Sequence, residues 1–541
     1  DAAHSYSFKL ADPHDALVVL IGKAAQSDVG SQLAQHVQDY GPAVGKFSLS
    51  LGQQPDLDNP TDQLWDAYRT NAGNPYLEWL LFNYGRYMLI SSSRGLLSAN
   101  LQGMWAFQQS NDWGADYHAN INLQMNYWMA EMTNMDVAKP LFDYIEKTWV
   151  PRGTETAQIL YNISRGWVTH DEMNIFGHTG MKLNSDDSQA SVNYPECPAW
   201  MVRCRILTSD QILVYARVSS CMVQMIHVWD HFDYTHDVDW WKAQGWALLR
   251  GATEFQLQKL IPDLHFNDST LVVSPCNSPE QTPVTFGCPH AQQVIWQLFN
   301  SAEKGYQVAE DTDSVFLDEV RTKRSQMDKG IHIGSWGQLQ GPVPQNGNLH
   351  NYTTQDVIDA ATISLIHRGN GTDPDADSGW EKVWRAAQWA QLGNATEFYH
   401  ELSVCYMQVT QPSKRSHRNF GHDLFSRYNP NSNRFQIDAN LAYPAVLLNG
   451  LIQAPDIASY SAPLNIILLP ALPTNWPSGS IHGARIHGGR TLDLEWSDGK
   501  PTQATITTDQ TGISRTVDVV YAGRVVKTLT AGSSSTQTIS F

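Results

Sequence analysis

Trp113 to Asn134 reads WGADYHANINLQMNYWMAEMTN, and this stretch decides how the rest of the chain is read. His118, Asn120 and Asn122 are spaced by two, and Asn126 follows four residues on. Ile121, Leu123, Met125, Tyr127 and Trp128 fill the positions between them. A solvated surface has no need of such dense apolar packing, and a plain core helix does not carry this many amides. A buried amide or imidazole left unpaired costs about 1–3 kcal/mol. The segment therefore carries polar groups into apolar surroundings, which is how a pocket for a polar, uncharged ligand is built. The competing reading is a helix N-terminus at which Asn120 or Asn122 caps the first turn.

Upstream, Leu77 to Ile90 (LEWLLFNYGRYMLI) places apolar residues at i, i+3, i+4 and i+7 and predicts a helix within 61–91. The same periodicity predicts helices over 16–40, 126–137, 141–145, 223–232, 240–260, 291–306, 356–367 and 379–392. Long amphipathic helices separated by irregular loops predict a mainly α chain. Its expected form is a helical toroid, an (α/α)6 barrel in the sugar-processing version, with the site on the loops at one end. Near Tyr460 the texture changes. Pro463, Pro470, Pro473 and Pro477 give way to the alternation of Thr491 to Trp496, and Asp498-Gly499 marks a hairpin turn before Thr502 to Thr507. The predicted organisation is a linker region over 1–50, the helical domain over 51–460 and a small β-sandwich-like domain over 461–541.

Composition sets the outer bounds. The net charge of −18 argues against nucleic acid and anionic membranes as partners, and no window is long and apolar enough for a membrane span. Nineteen Trp and 21 Tyr suit a carbohydrate enzyme, since aromatic faces stack on sugar rings, although a large helical core accounts for the same excess. Six Cys include no C-x-x-C pair; Cys276 and Cys288 bracket a Pro-rich loop and are candidates for joining. Sequons stand at Asn162, Asn267, Asn351, Asn370 and Asn394. They are compatible with a secreted, extracellular protein.

Two carboxylates stand out away from the opening stretch. Glu280 ends Leu271-Val-Val-Ser-Pro-Cys-Asn-Ser-Pro-Glu280, a short apolar run followed by a loop stiffened by Pro275 and Pro279. A rigid loop holds a catalytic carboxyl well; a surface Glu in a turn is the plainer reading. Asp438 lies between Ile437 and Ala439 in Arg434-Phe-Gln-Ile-Asp-Ala-Asn440, which reads either as a partly buried carboxylate or as a helix cap.

Trp113 to Asn134, together with Ser91 to Trp105 (SSSRGLLSANLQGMW), resembles glycoside hydrolase family 95, the inverting α-1,2-L-fucosidases, and looks like a secreted member of fungal type. The resemblance implies an (α/α)6 catalytic domain and a pocket lined by the His-x-Asn-x-Asn segment. Its Ser-Pro-Glu motif implies that Glu280 is the general acid. Its Phe-Gln-Ile-Asp-x-Asn motif implies that Asp438 is the carboxylate behind the nucleophilic water, which Asn120 and Asn122 orient. His118, Trp113 and Trp200 are expected as sugar contacts, whereas Trp380, Trp384 and Arg385 are expected to be barrel packing. No cofactor or metal is implied, and the expected partner is a fucosylated oligosaccharide. An inverting hydrolase separates its two carboxyls by about 6.5–9.5 Å to admit the water.

The chain also departs from the family's pattern. Family members begin with a large β-sandwich, which is expected to be absent here, the segment around His36 to Tyr40 resembling the linker helix that follows it. The family's His-Arg-His-Leu-Ser-His segment has no counterpart between Ser335 and Asp356. Val202 to Cys221 reads as an insertion. The alternatives are an α-L-galactosidase of the same family and a catalytically impaired carbohydrate-binding relative. A glycoside phosphorylase would need a cationic phosphate site near the carboxylates, and the sequence offers no such cluster.

Overall fold

The computed structural model describes residues 11–68, 73–102, 104, 113–114, 116–119, 121–170, 172–180, 224–274, 287, 289–328, 330–339, 354–368, 378–404, 424–426, 435–457 and 459–541. The helices, in order, are α1 (His14–Ala25), α2 (Val29–Val44), α3 (Thr61–Tyr68), α4 (Pro75–Ser92), α5 (Ile121–Met132), α6 (Lys139–Tyr144), α7 (Val150–Tyr161) and α8 (Gln224–Thr235). They continue with α9 (Val238–Trp240), α10 (Trp246–Lys259), α11 (Pro289–Val308), α12 (Ser314–Gln326), α13 (Gln355–Arg368), α14 (Gly379–Gln391), α15 (Ala395–Val404) and α16 (Asp438–Leu451). This is the predicted mainly α, (α/α)6 toroid. Single wide turns, Ile145–Trp149 and Trp241–Gly245, join α6 to α7 and α9 to α10. The helix expected over 16–40 is two helices. Asp28 breaks it by accepting a hydrogen bond from the Ser31 amide at 3.0 Å and so capping α2.

The inner wall of the toroid is built from helices that are buried almost all round. Every residue of α16 is buried, as are twelve of the thirteen residues of α14, Trp380, Trp384 and Arg385 among them. Arg385 pairs there with Glu401 at 3.3 Å, and all three side chains are buried in the packing. Leu, Val or Ile side chains buried this fully contribute about 1.5–3 kcal/mol each. Pro444, inside α16, removes the amide that would have bonded the Asn440 carbonyl. Gly85 of α4 lies against that carbonyl: a Cβ there would come within 2.2 Å of its oxygen. Glycine at this crossing lets α4 and α16 touch backbone to backbone.

The C-terminal domain is a sandwich of two sheets. The strands are β1 (Ser48–Ser50), β2 (Glu172–Met173), β3 (Thr179–Gly180), β4 (Leu260–Pro262), β5 (Leu271–Val273), β6 (Ile452–Gln453), β7 (Leu464–Leu468), β8 (Gly479–Ile486), β9 (Arg490–Ser497), β10 (Lys500–Thr508), β11 (Arg515–Tyr521), β12 (Arg524–Ala531) and β13 (Thr536–Ser540). One sheet has the order β1-β8-β9-β10-β13 and the other β12-β11-β7-β6. β2–β3 and β4–β5 are small antiparallel pairs within the helical domain. The β9–β10 hairpin turns at Asp498 and Gly499, both at positive φ (50° and 74°), as the Asp-Gly pair predicts. The helical domain is stitched in at both ends: β1 precedes its helices and β6 follows α16 directly, and each joins a different sheet.

Buried polar contacts lock this joint. The Glu78 carboxylate of α4, fully buried, accepts from Tyr68 Oη at 2.7 Å, Tyr399 Oη at 2.6 Å and Trp476 Nε1 at 2.6 Å. Burial pushes its pKa up, and the three donors pull it partly back. Lys304 of α11 meets Asp456 at 2.6 and 2.5 Å, and His487 of the β8–β9 turn meets Asp233 of α8 at 2.8 Å. Glu78→Ala would strand three donors that arrive from α3, α15 and the β-domain. We expect it to destabilise the chain by about 3–5 kcal/mol, read as a fall in the thermal unfolding midpoint. A midpoint equal to wild type would show that the cluster does not hold the domains together.

Among the described residues no helix is long and apolar enough to cross a membrane. Of the sequons, Asn162 and Asn267 are exposed and Asn394 is half-buried, while Asn351 and Asn370 lie outside the described residues. So do Cys276, Cys288, the stretch 202–221 and the stretch 340–353.

Candidate active site

Asn122 is the second residue of α5, and Asp438 is the first of α16. The helices pack side by side, with both residues at the N-terminal ends. The Asn122 amide Nδ2 donates to Asp438 Oδ2 across 316 residues of sequence. When Asp438 is ionised it only accepts, so in that state Asn122 presents Nδ2 to it and keeps Oδ1 as its remaining acceptor. Asn122 therefore does not cap α5. Asp438 does not act as the cap of α16 either, since the N-cap position is Ile437.

The Asp438 carboxyl has no solvent exposure, and its Oδ1 has no hydrogen-bond partner among the described residues. Burial raises its pKa to about 7, and the Asn122 bond and the His118 charge lower it against that trend. A helix N-terminus favours an anion by about 0.3–1 kcal/mol, rising to ~2 in partly buried geometries. The upward shift of roughly three pH units corresponds to about 4 kcal/mol, so desolvation wins. The outcome is a carboxyl that gains and loses a proton near neutrality, the range in which general acid–base catalysis is most effective.

The loops around this pair are tied to it. Trp113 Nε1 donates to the Phe435 carbonyl at 2.6 Å, three residues before Asp438. Trp113 is half-buried and its indole N–H is committed to the backbone, so only its ring is offered to a ligand. Asn440 bonds the Leu424 carbonyl at 2.8 Å and the Ser426 amide at 2.7 Å, bracing the segment beside the carboxyl. Tyr127 of α5 meets Ser93 Oγ at 3.0 Å and the Ala99 amide at 2.9 Å, and Asn126 Nδ2 reaches the Asn100 carbonyl at 3.2 Å. The stretch from Ser91 is thereby fastened to the stretch from Trp113.

His118 is buried and sits at φ 48°, a left-handed conformation that is uncommon for a residue with a side chain. Asp116 holds it there, accepting from the His118 amide at 2.9 Å and pairing with Nδ1 at 2.6 Å. Asp116 was not among the residues singled out from the sequence. An Asp whose side chain accepts from the amide two residues on is an ordinary turn signal, and Asp116-x-His118 carries it.

The structure thus brings together Asn122, Asp438, His118 and Trp113. Glu280, Asn120 and Trp200 lie outside the described residues. Among the described residues no group of three or more His, Cys, Asp or Glu side chains is placed to hold a metal ion.

A family model described as the glycosyl hydrolase family 95 catalytic domain matches residues 29–206, 212–341 and 343–451. A second, the family's C-terminal domain, matches 461–539. The chain is 39% identical over 529 residues to "Probable alpha-fucosidase A" of Aspergillus niger, covering 91% of this chain and 61% of that protein. It is 28% identical over 548 residues to "Alpha-L-fucosidase 2" of Arabidopsis thaliana, covering 95% and 59%. The chain therefore spans about three fifths of the length of these relatives. A solved structure, "Putative kojibiose phosphorylase from human microbiome", superposes with a TM-score of 0.56 at 10% identity, covering 98% of this chain and 72% of its own. At that identity the likeness concerns the fold alone.

Proposed function

The chain belongs to glycoside hydrolase family 95, and from that premise we propose that it is a glycosidase removing terminal α-1,2-linked L-fucose from oligosaccharides with inversion. The observation that carries the proposal is the buried Asp438 carboxyl, bonded to Asn122 through one oxygen and, among the described residues, without a hydrogen-bond partner at the other. The names of the relatives, α-fucosidases, support the choice of sugar.

In this reading a water molecule sits between the amide oxygens of Asn120 and Asn122 on one face of the sugar. Amide oxygens orient the water through its hydrogens but do not keep its proton. Asp438, with a pKa near 7, polarises Asn122 and takes the proton as the C–O bond forms. Glu280 is assigned the role of general acid, giving its proton to the leaving glycosidic oxygen. His118 and the Trp113 ring hold the sugar. Water thus attacks the anomeric carbon from the side opposite the leaving group, which gives inversion.

The test is hydrolysis of 2′-fucosyllactose followed by proton NMR during the first turnovers. β-L-fucose should appear first and mutarotate to the mixture. α-L-fucose appearing first would mean retention and would overturn the mechanism. Binding of the sugar without release would leave a carbohydrate-binding relative.

A further inference from the structure

The assigned set omits the side chain on which its geometry converges. Asp116 Oδ1 accepts from the His118 amide at 2.9 Å and from the Met173 amide of β2 at 2.8 Å, and Oδ2 pairs with His118 Nδ1 at 2.6 Å. Its own amide bonds the Trp113 carbonyl at 3.0 Å, and its carbonyl takes the Leu101 amide at 3.0 Å. Three stretches of chain, those around Leu101, Trp113–His118 and Met173, therefore meet at one residue. Its side chain is 15% exposed and that of His118 10% exposed, so these bonds are made largely out of water.

We propose, resting on the glycosidase reading above, that Asp116 is a positioning residue for the reaction: it fixes the backbone, the tautomer and the charge of His118, and so holds that charge in place beside the Asn122–Asp438 pair. Three physical consequences follow from the geometry. The bond to the His118 amide stabilises a left-handed backbone that otherwise costs about 1 kcal/mol or more. A carboxylate only accepts, so Nδ1 carries a hydrogen, and any contact of the ring with a sugar hydroxyl passes through Nε2. A carboxylate beside the ring also favours imidazolium, and among the described residues the charge of His118 is what favours ionisation of Asp438, alongside the Asn122 bond.

The sign of the effect is fixed. Without the Asp116 charge, His118 binds its proton less tightly. The cation beside Asp438 is then lost at lower pH, and Asp438 ionises only at higher pH. Asp116→Asn should therefore move the acidic limb of the kcat/KM–pH profile upward and lower kcat/KM by roughly 10–100-fold, the range found when the partner that orients a metal-bound histidine is removed. The Asp116→Glu variant, which keeps the charge, should recover part of the loss. In a His118→Gln background, Asp116→Asn should leave the limb where it is, since its route to Asp438 is gone.

The experiment combines these profiles with thermal melts and with 15N NMR titration of the His118 ring in wild type and Asp116→Asn. The proposal expects the ring to titrate at lower pH in the variant. An unmoved limb, an equal effect in the His118→Gln background, or a His118 ring that titrates identically in both proteins would overturn it. Should Asp116→Asn fail to fold, Asp116→Ser, which also removes the charge, carries the same comparison: a limb and a ring titration that move together support the proposal, and unmoved ones overturn it. Should the wild type release no fucose, the glycosidase reading falls on that result alone, and the ring titration still decides the role of Asp116.

Discussion

Asp438→Asn is expected to lose hydrolysis by about 10²–10⁴-fold, the usual range for removing a general base, and at the same time to gain stability as the pH rises. The two effects have one cause. In the folded chain the Asp438 carboxyl has its pKa raised by burial from 3.8 to about 7, so the fold prefers the neutral acid. Its contribution to stability is complete below the unfolded value, declines as the pH rises between about 4 and 7, and is fully lost above the folded value. Asparagine has the same shape and never ionises, so the variant escapes that loss. Any cost of the new amide donor is independent of pH and cancels when the two proteins are compared at pH 4 and at pH 8. The variant's relative stability should rise between those pH values by a few kcal/mol, with about 4 kcal/mol as the ceiling. Chemical unfolding of both proteins at both pH values measures it. A stability difference that does not change with pH would mean that the carboxyl is not neutral in the native state, and its part as a base poised near neutrality would fall with that result.

Glu280→Gln should lose a similar factor, about 10²–10⁴-fold, on a natural fucosylated glycan. It should then recover part of it on a nitrophenyl α-L-fucoside. A nitrophenolate leaves without being protonated, so a missing general acid matters little for that substrate. Asp438→Asn should not recover in the same way, because its defect lies in the attacking water and the leaving group does not repair it. The pair of variants on the pair of substrates separates acid from base without any assumption about how the two carboxyls are arranged. Equal recovery in both variants would show that the roles are assigned wrongly.

What was legible in the sequence was local. The α4 helix follows from the spacing of Leu77, Leu81 and their neighbours, because a helix buried on one side writes its period into the residues of that side. The β9–β10 hairpin follows from Asp498-Gly499, because few residues accept the positive φ that such a turn needs. The His-x-Asn-x-Asn segment pointed to a polar pocket, with a helix cap as the competing reading, because amides and an imidazole among large apolar side chains need polar partners.

The helix that carries Asp438 was not legible. Residues 438–451 of α16 are buried on every side and contain Pro444, so they show neither a one-sided period nor an uninterrupted pattern. They form a helix because the toroid surrounds them completely, and burial outweighs the lost backbone bond. α7, α12 and α15 were missed as well, α12 because only Phe316, Leu317 and Val320 of its thirteen residues are buried.

The sequence by itself determined the kind of molecule: helical domain followed by a small β-domain, the family, and the residue types a sugar-cleaving site would need. Only the tertiary structure decided what those residues are chemically. Asp438 becomes a carboxyl poised near neutrality because burial on α16 strips its water while Asn122, 316 residues away in sequence, supplies a single hydrogen bond. Glu78 becomes the lock between domains because Trp476, 398 residues away, reaches it. Asp116 becomes the residue that orients His118 because β2 closes over it through Met173. Periodicity and turn chemistry act over a few residues and are written in the chain. Desolvation and charge depend on what else occupies the same few ångströms, and that is settled when the chain folds.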